Sequence, residues 1–202
     1  MFYITRCIWR ASRNRDITRA RSCYLNVLPG GWCPYCNLEL RAYEREIDRI
    51  RAQGATVIAI SPETPDFAER TANKNELSFP VLSEVDLYVS RQFDSVFDLP
   101  DYLIEIYKAS GLDVAKHNGN EDWQLPKPAT FIIDTNGVIR FAEVPSDYTK
   151  RVDPEHILQN LEQNKSMKID LNGLASLYLL GEVRPFEVSL YFVSRSTRLS
   201  HS

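Results

Sequence analysis

Long apolar runs are missing from this 202-residue chain. Its two longest largely apolar patches, residues 174–180 and 188–193, fall well short of the ~20 residues of a membrane-spanning helix. Cysteine is scarce, with four residues at positions 7, 23, 33 and 36, and this excludes a disulfide-rich scaffold. Histidine is scarcer, at 117, 156 and 201 with no paired spacing. A structural zinc site needs four ligands, and the chain holds no second C-x-x-C to supply them, so no metal is expected. Neither sign of charge dominates: the net charge of −3 gives no reason to expect a general nucleic-acid binder.

What charge there is lies unevenly. Residues 1–22 contain six arginines, one aspartate and no glutamate, a net of +5 that leaves −8 for the rest. An Arg-rich, acid-poor start with scattered Ser and Thr fits an organelle-targeting composition. It lacks the apolar core of a secretory signal; we expect a basic arm on a cytoplasmic protein, with organelle targeting through the Arg-rich start as the alternative. We expect three regions: the arm over residues 1–23, a folded domain over 24–164, and an extension of unknown role over 165–202.

The informative stretch is Gly30-Gly31-Trp32-Cys33-Pro34-Tyr35-Cys36. Two cysteines stand two residues apart, directly ahead of an amphipathic helical pattern. A thiol at a helix start faces unpaired backbone N–H groups and the positive end of the dipole, and both favour thiolate. With Cys33 at the entry, its sulfur is expected to be exposed, and Cys36 lies one turn in, close enough to close a small disulfide ring. Pro34 favours helix initiation. A single C-x-x-C beside a βαβ pattern points to thioredoxin-like redox chemistry. Cys7 and Cys23 have no such context and are expected to be inert.

The rest of the chain supplies the pattern. Residues 24–28 suit a short strand. Apolar side chains then recur at Cys36, Leu40, Tyr43, Ile47 and Ile50, one face of a single helix that Gly54 would stop, with Glu39 among the residues on its other faces. Residues 55–60 form an apolar, β-branched run typical of a buried strand. Thr64-Pro65 starts a second helix, and 79–82 is a short strand. Ser83 would cap a helix through Leu87, Val89 and Phe93, with Asp86 reaching back. Residues 94–125 are irregular, acidic and aromatic. Residues 130–133 and 138–144 flank an Asn136-Gly137 hairpin turn, and Asp153-Pro154 opens a last helix through Ile157, Leu158 and Leu161. The order implies an α/β fold with a central mixed sheet flanked by helices. Ahead of the 130–133 strand, Pro128 is locally odd, because proline donates no ladder bond. We expect a cis peptide at Lys127–Pro128, exposing backbone for pairing with a substrate chain.

Four segments (residues 30–40, 57–64, 74–83 and 128–134) together resemble the peroxiredoxin-like (AhpC/TSA) family of the thioredoxin fold, over about residues 24–162. The resemblance implies reduction of hydrogen peroxide and organic hydroperoxides by a Cys33–Cys36 dithiol/disulfide cycle, without a cofactor. Electrons would come from thioredoxin, glutaredoxin or a similar dithiol donor. Trp32, Pro34, Tyr35, Pro128 and Thr130 would support the two cysteines. The oligomeric state stays open, a homodimer among the options, and neither nucleic acid nor membrane is expected as partner. In the family's Pro-x-x-x-Thr-x-x-Cys pattern, Pro29 matches the proline, Cys33 falls at the threonine and Cys36 at the peroxide-attacking cysteine. In the thioredoxin register Cys33 attacks instead. The threonine is absent, and Pro128 stands where peroxiredoxins usually carry an arginine. Pro34-Tyr35 is the dipeptide of glutaredoxins. Two further readings stay open: an oxidoreductase acting on protein disulfides, and a non-enzymatic redox sensor or inactive relative.

Overall fold

The centre of the sheet is formed by strands buried along almost their whole length, on both faces. The computed structural model describes residues 22–134 and 137–166. The basic arm up to residue 21, with Cys7, and the extension from residue 167 lie outside the described residues. The strands are β1 (Ser22–Val27), β2 (Ala55–Ser61), β3 (Val81–Ser83), β4 (Val96–Asp98), β5 (Gln124–Pro126), β6 (Ala129–Asp134) and β7 (Ile139–Glu143). The helices are α1 (Pro34–Arg45), α2 (Ile47–Ala52), α3 (Pro65–Lys74), α4 (Tyr88–Gln92), α5 (Asp101–Ala109), α6 (Val114–Asn118) and α7 (Pro154–Ser166).

Five strands make a mixed sheet in the order β3-β2-β1-β6-β7. β1 runs parallel to β2 and antiparallel to β6. Its side chains alternate between two cores. Tyr24 and Leu28 join Leu40, Tyr43, Ile50, Ile132, Ile157 and Leu161 on one face. Cys23, Leu25 and Val27 join Ile58, Ile60, Phe131 and Ile133 on the other. Burial on both faces explains the unbroken apolar run of β2. Cys23 is locked in this core, where burial pushes its thiol up to about 12, and the expectation of an inert thiol agrees with that position. A third cluster, Leu99, Val114 and Leu125 with Trp32, Leu103, Tyr107 and Trp123 around it, joins residues 94–125 to the cysteine loop.

Several local expectations need correction. The single helix expected from Cys33 to Gly54 is two, because Glu46 leaves helical geometry at φ −101°, ψ 6°. The α4 helix is not capped from Ser83. Ser83 Oγ donates to the Glu63 carbonyl at 2.6 Å. The carboxylate of Glu84 instead accepts the amides of Val89 and Ser90 at 3.0 and 3.1 Å. Thr64 is the N-cap residue of α3, yet its side chain makes no capping bond. No peptide bond among the described residues is cis, so the expected cis Lys127–Pro128 is wrong. The Lys127 amide is used inside the fold, donating to the Ser95 carbonyl at 2.7 Å. That N–H is not free for a substrate chain.

Candidate active site

The cysteine loop is built by β1 ending and α1 beginning within a few residues. Leu28 and Pro29 leave the sheet, Gly30 and Gly31 turn the chain, and Cys33 becomes the N-cap residue of α1 with Pro34 in its first turn. Gly31 has no room for a side chain: a Cβ there would stand 1.8 Å from Thr71 Oγ1.

Both sulfurs are free thiols, and their surroundings differ. Cys33 is 6% exposed, so the exposure expected of it is corrected: the loop and neighbouring aromatics cover it. Its sulfur makes no formal capping bond. The Cys36 thiol nevertheless donates to it, and the backbone amides of Cys36 and Tyr35 face it. Against the opposing effect of burial, these contacts and the Arg151 charge lower its pKa to about 6. Cys36 is fully buried. Its hydrogen bond to Cys33, then burial, then the charge on Cys33 hold its pKa well above the ordinary thiol value. One thiol is thus prepared as the anion and the other kept protonated beside it.

Beneath the pair lies a charged network. Arg151, from the loop ahead of α7, reaches Cys36 Sγ at 3.6 Å and pairs through Nε with Glu39 Oε2 at 2.8 Å. The Tyr43 hydroxyl is 3.0 Å from Glu39 Oε1 and 2.9 Å from the Val152 carbonyl. Burial, opposed first by Arg151, raises Glu39 to about 7. Glu39 is therefore not on a polar face of α1, as expected, but in the core.

Above the pair stand aromatics. Trp32 and Tyr107 meet edge-on at 5.7 Å, and Tyr35 and Tyr148 at 5.8 Å. Burial, then the charges of Cys33 and Tyr148, raise the Tyr107 phenol. Trp32, Pro34 and Tyr35 lie in the loop and first helical turn that carry the two thiols. Pro128 is buried one residue before β6. The β1–β6 register, with Val27 opposite Ala129, puts it at the end of the sheet from which the cysteine loop departs. Thr130 is opposite Asn26 and interacts with the Tyr24 and Tyr43 hydroxyls, below the site rather than in it.

Sequence reasoning missed Arg151, Glu39, Tyr107, Tyr148 and a further pair, the buried Glu63 and the half-buried His117. Glu39 alone had a local signal: it sits three residues after Cys36 and one before Leu40, flanking the apolar face of α1. Among the described residues, no group of three His, Cys, Asp or Glu is placed to hold a metal, and no helix is long and apolar enough to cross a membrane.

A sequence model of the AhpC/TSA family matches residues 5–142. No curated protein matches the chain by sequence. Among solved structures, the peroxidoxin BcpB of Mycobacterium tuberculosis superposes with a TM-score of 0.56 at 16% identity, over 76% of this chain and 83% of that one. Reduced Prx3 of Vibrio vulnificus, in complex with hydrogen peroxide, superposes with a TM-score of 0.58 at 17% identity, over 75% and 84%. The bacterioferritin comigratory protein of Xanthomonas campestris, described for its alkyl peroxide reduction activity, gives 0.55 at 15%, over 72% and 81%. At such identities these likenesses speak for the fold, and the mixed sheet flanked by helices is the one they share.

Proposed function

The chain belongs to the AhpC/TSA family, and from that premise we propose that it is a thiol-dependent peroxidase in which Cys33 attacks and Cys36 resolves. The observation that carries the order of the two thiols is their opposed surroundings: Cys33 is lowered to about 6 while Cys36 is buried and raised. The Cys33 thiolate attacks one oxygen of the hydroperoxide. The O–O bond breaks, the other oxygen takes a proton and leaves as alcohol or water, and Cys33 becomes a sulfenic acid. The Cys36 sulfur then attacks the Cys33 sulfur. The S–O bond breaks, the hydroxyl leaves with the Cys36 proton as water, and a Cys33–Cys36 disulfide remains. An external dithiol of the thioredoxin or glutaredoxin kind supplies the two electrons that restore both thiols. Arg151 beside Cys36 favours its anion and so lowers the cost of releasing that proton.

The test is peroxide consumption with thioredoxin and its reductase, alongside dimedone trapping, for wild type, Cys33→Ser and Cys36→Ser. Wild type consumes peroxide and neither variant turns over. Cys36→Ser accumulates a trapped sulfenic acid on Cys33. A sulfenic acid trapped on Cys36 of Cys33→Ser, with none in Cys36→Ser, overturns the order of attack. The same pairing of a lowered leading thiol with a buried second one also favours a disulfide oxidoreductase. Rapid reduction of insulin disulfides without peroxide consumption would replace the first reading by that one.

A further inference from the structure

The chemistry above uses neither Glu63 nor His117, yet both are tied to the cysteine loop. Glu63, just after β2, is 1% exposed. Its Oε2 accepts the Gly31 amide at 2.8 Å, with Ser61 Oγ at 3.1 Å and Thr71 Oγ1 at 3.4 Å on the same oxygen. Its Oε1 faces His117 Nδ1 at 2.9 Å. No Lys or Arg ion pair to Glu63 occurs among the described residues, so His117 is the one partner there that can carry a countercharge. A buried carboxylate held this way is costly to the fold, and an apolar group of similar size often serves stability as well or better. Its bond to the Gly31 amide ties it directly to the reactive loop.

The geometry shows the role. The Gly30–Gly31 peptide is one rigid plane. Its N–H goes to Glu63, and its C=O accepts the Cys33 amide at 3.1 Å. Turning that plane breaks both bonds and moves Cys33 off the start of α1. The following peptide is fixed as well, because Asn37 Nδ2 donates to the carbonyls of Gly31 and Cys33, both at 2.8 Å. His117 belongs to α6, whose N-cap is Asp113. Its ring lies against Phe67 at 4.1 Å, and its carbonyl accepts the Thr64 amide at 2.8 Å. Residues 94–125 thus reach the cysteine loop twice, through Tyr107 onto Trp32 and through His117 onto Glu63.

We propose that Glu63 and His117 are positioning residues for Cys33: Glu63 holds the Gly30–Gly31 peptide that places the sulfur over the first turn of α1, and His117 keeps the Glu63 carboxylate aimed at it. The pair acts through placement of the loop, not through its own charge, and Glu63 is not among the leading influences on the thiol. This deepens the proposal that Cys33 is the attacking thiol and rests on it. A loop released from Glu63 carries Cys33 away from the amides of Tyr35 and Cys36 and returns it toward an ordinary thiol.

The experiment is the pH dependence of Cys33 alkylation by iodoacetamide, with the modified peptide identified by mass, for wild type, Glu63→Ala, Glu63→Gln and His117→Ala. Melting temperatures are recorded on the same samples. In Glu63→Ala the midpoint rises by about one pH unit or more, which slows alkylation at pH 6 by about fivefold or more. His117→Ala moves the midpoint the same way by less. Glu63→Gln, whose carbonyl oxygen can still take the Gly31 amide, restores most of the loss. If Glu63→Ala does not fold, the partly exposed His117→Ala carries the test. Variants that melt lower but titrate as wild type overturn the proposal. A Glu63→Gln midpoint shifted as far as that of Glu63→Ala also overturns it, since charge and not the hold on the Gly31 amide would then govern Cys33. Wild-type Cys33 titrating no lower than Cys36 would instead remove the reading underneath. Wild type titrating low with unmoved variants removes this inference alone.

Discussion

Glu39 carries a charge into the core three residues after Cys36, and Arg151 is there to meet it. A carboxyl raised to about 7 in the folded chain from an ordinary 4.5 holds a proton that the unfolded chain has lost between those two pH values. Its effect on stability is neutral below about 4.5, grows unfavourable as pH rises to about 7, and is constant above. The loss is on the order of 3 kcal/mol. Glu39→Gln removes the titration. The difference in unfolding free energy between Glu39→Gln and wild type should therefore move in favour of the variant across that window, as read by urea unfolding at several pH values. A difference flat from pH 4.5 to 7 would show that Glu39 does not titrate there. Arg151 is the complementary case. Arg151→Met leaves the buried carboxylate without its cation, a loss of about 3–5 kcal/mol. The double variant Arg151→Met/Glu39→Gln should recover much of this, and simple additivity of the two single losses would sink the idea that the pair is coupled.

Elements with one strong local signal were readable in advance, and those held by distant partners were not. β1, β2, β6 and α1 each declare themselves through a run or a 3.6-residue stripe that ends in the core. Gly54 stops α2 in the left-handed region at φ 83°, where glycine is the natural residue. Residues 94–125 resist such reading for a physical reason. β4 and β5 have three residues each and pair only with one another, and α5 has no buried residue to set a periodicity. The site divides the same way. Cys33 and Cys36 are visible as a motif, whereas Arg151 meets Cys36 across 115 positions and His117 meets Glu63 across 54, contacts with no local signature. α4 shows how the wrong cap can be chosen: Ser83 is a usual capping type, yet it turns to the Glu63 carbonyl, and the longer Glu84 takes the Val89 and Ser90 amides. Glu84→Ala, which strips two amides of α4 of their acceptor, should cost about 1–2 kcal/mol in denaturant unfolding. A loss no larger than that of Asp86→Ala, which strips the Tyr88 amide of its acceptor, would show that Glu84 is not the dominant cap.

The whole domain feels the redox state of its cysteines through the same thiolate. Any preference for the reduced form that the folded protein has beyond that of the unfolded chain must equal the stability the reduced form has in excess of the oxidised one, because the four states close a cycle. Cys33 is lowered from 9.0 to about 6 by folding. A depressed pKa contributes stability that is fully present above the unfolded value and is lost as pH falls through the folded one. The reduced protein therefore gains this contribution as pH rises from about 6 to about 9. The oxidised protein, having no thiol at Cys33, does not. The disulfide closes only a short ring, so the chain-entropy benefit it brings is small and does not vary with pH. Cys36, raised above the ordinary value, acts only beyond the top of that window. The measurement is the melting temperature of the reduced protein, kept in a phosphine reductant, minus that of the oxidised protein, at intervals from pH 5.5 to 9. Most titrating groups are common to both forms and cancel in the difference. The difference should rise steadily in favour of the reduced form across the window. Constancy across it would mean that folding does not stabilise the Cys33 thiolate, and the order of attack drawn from that stabilisation would fall with it.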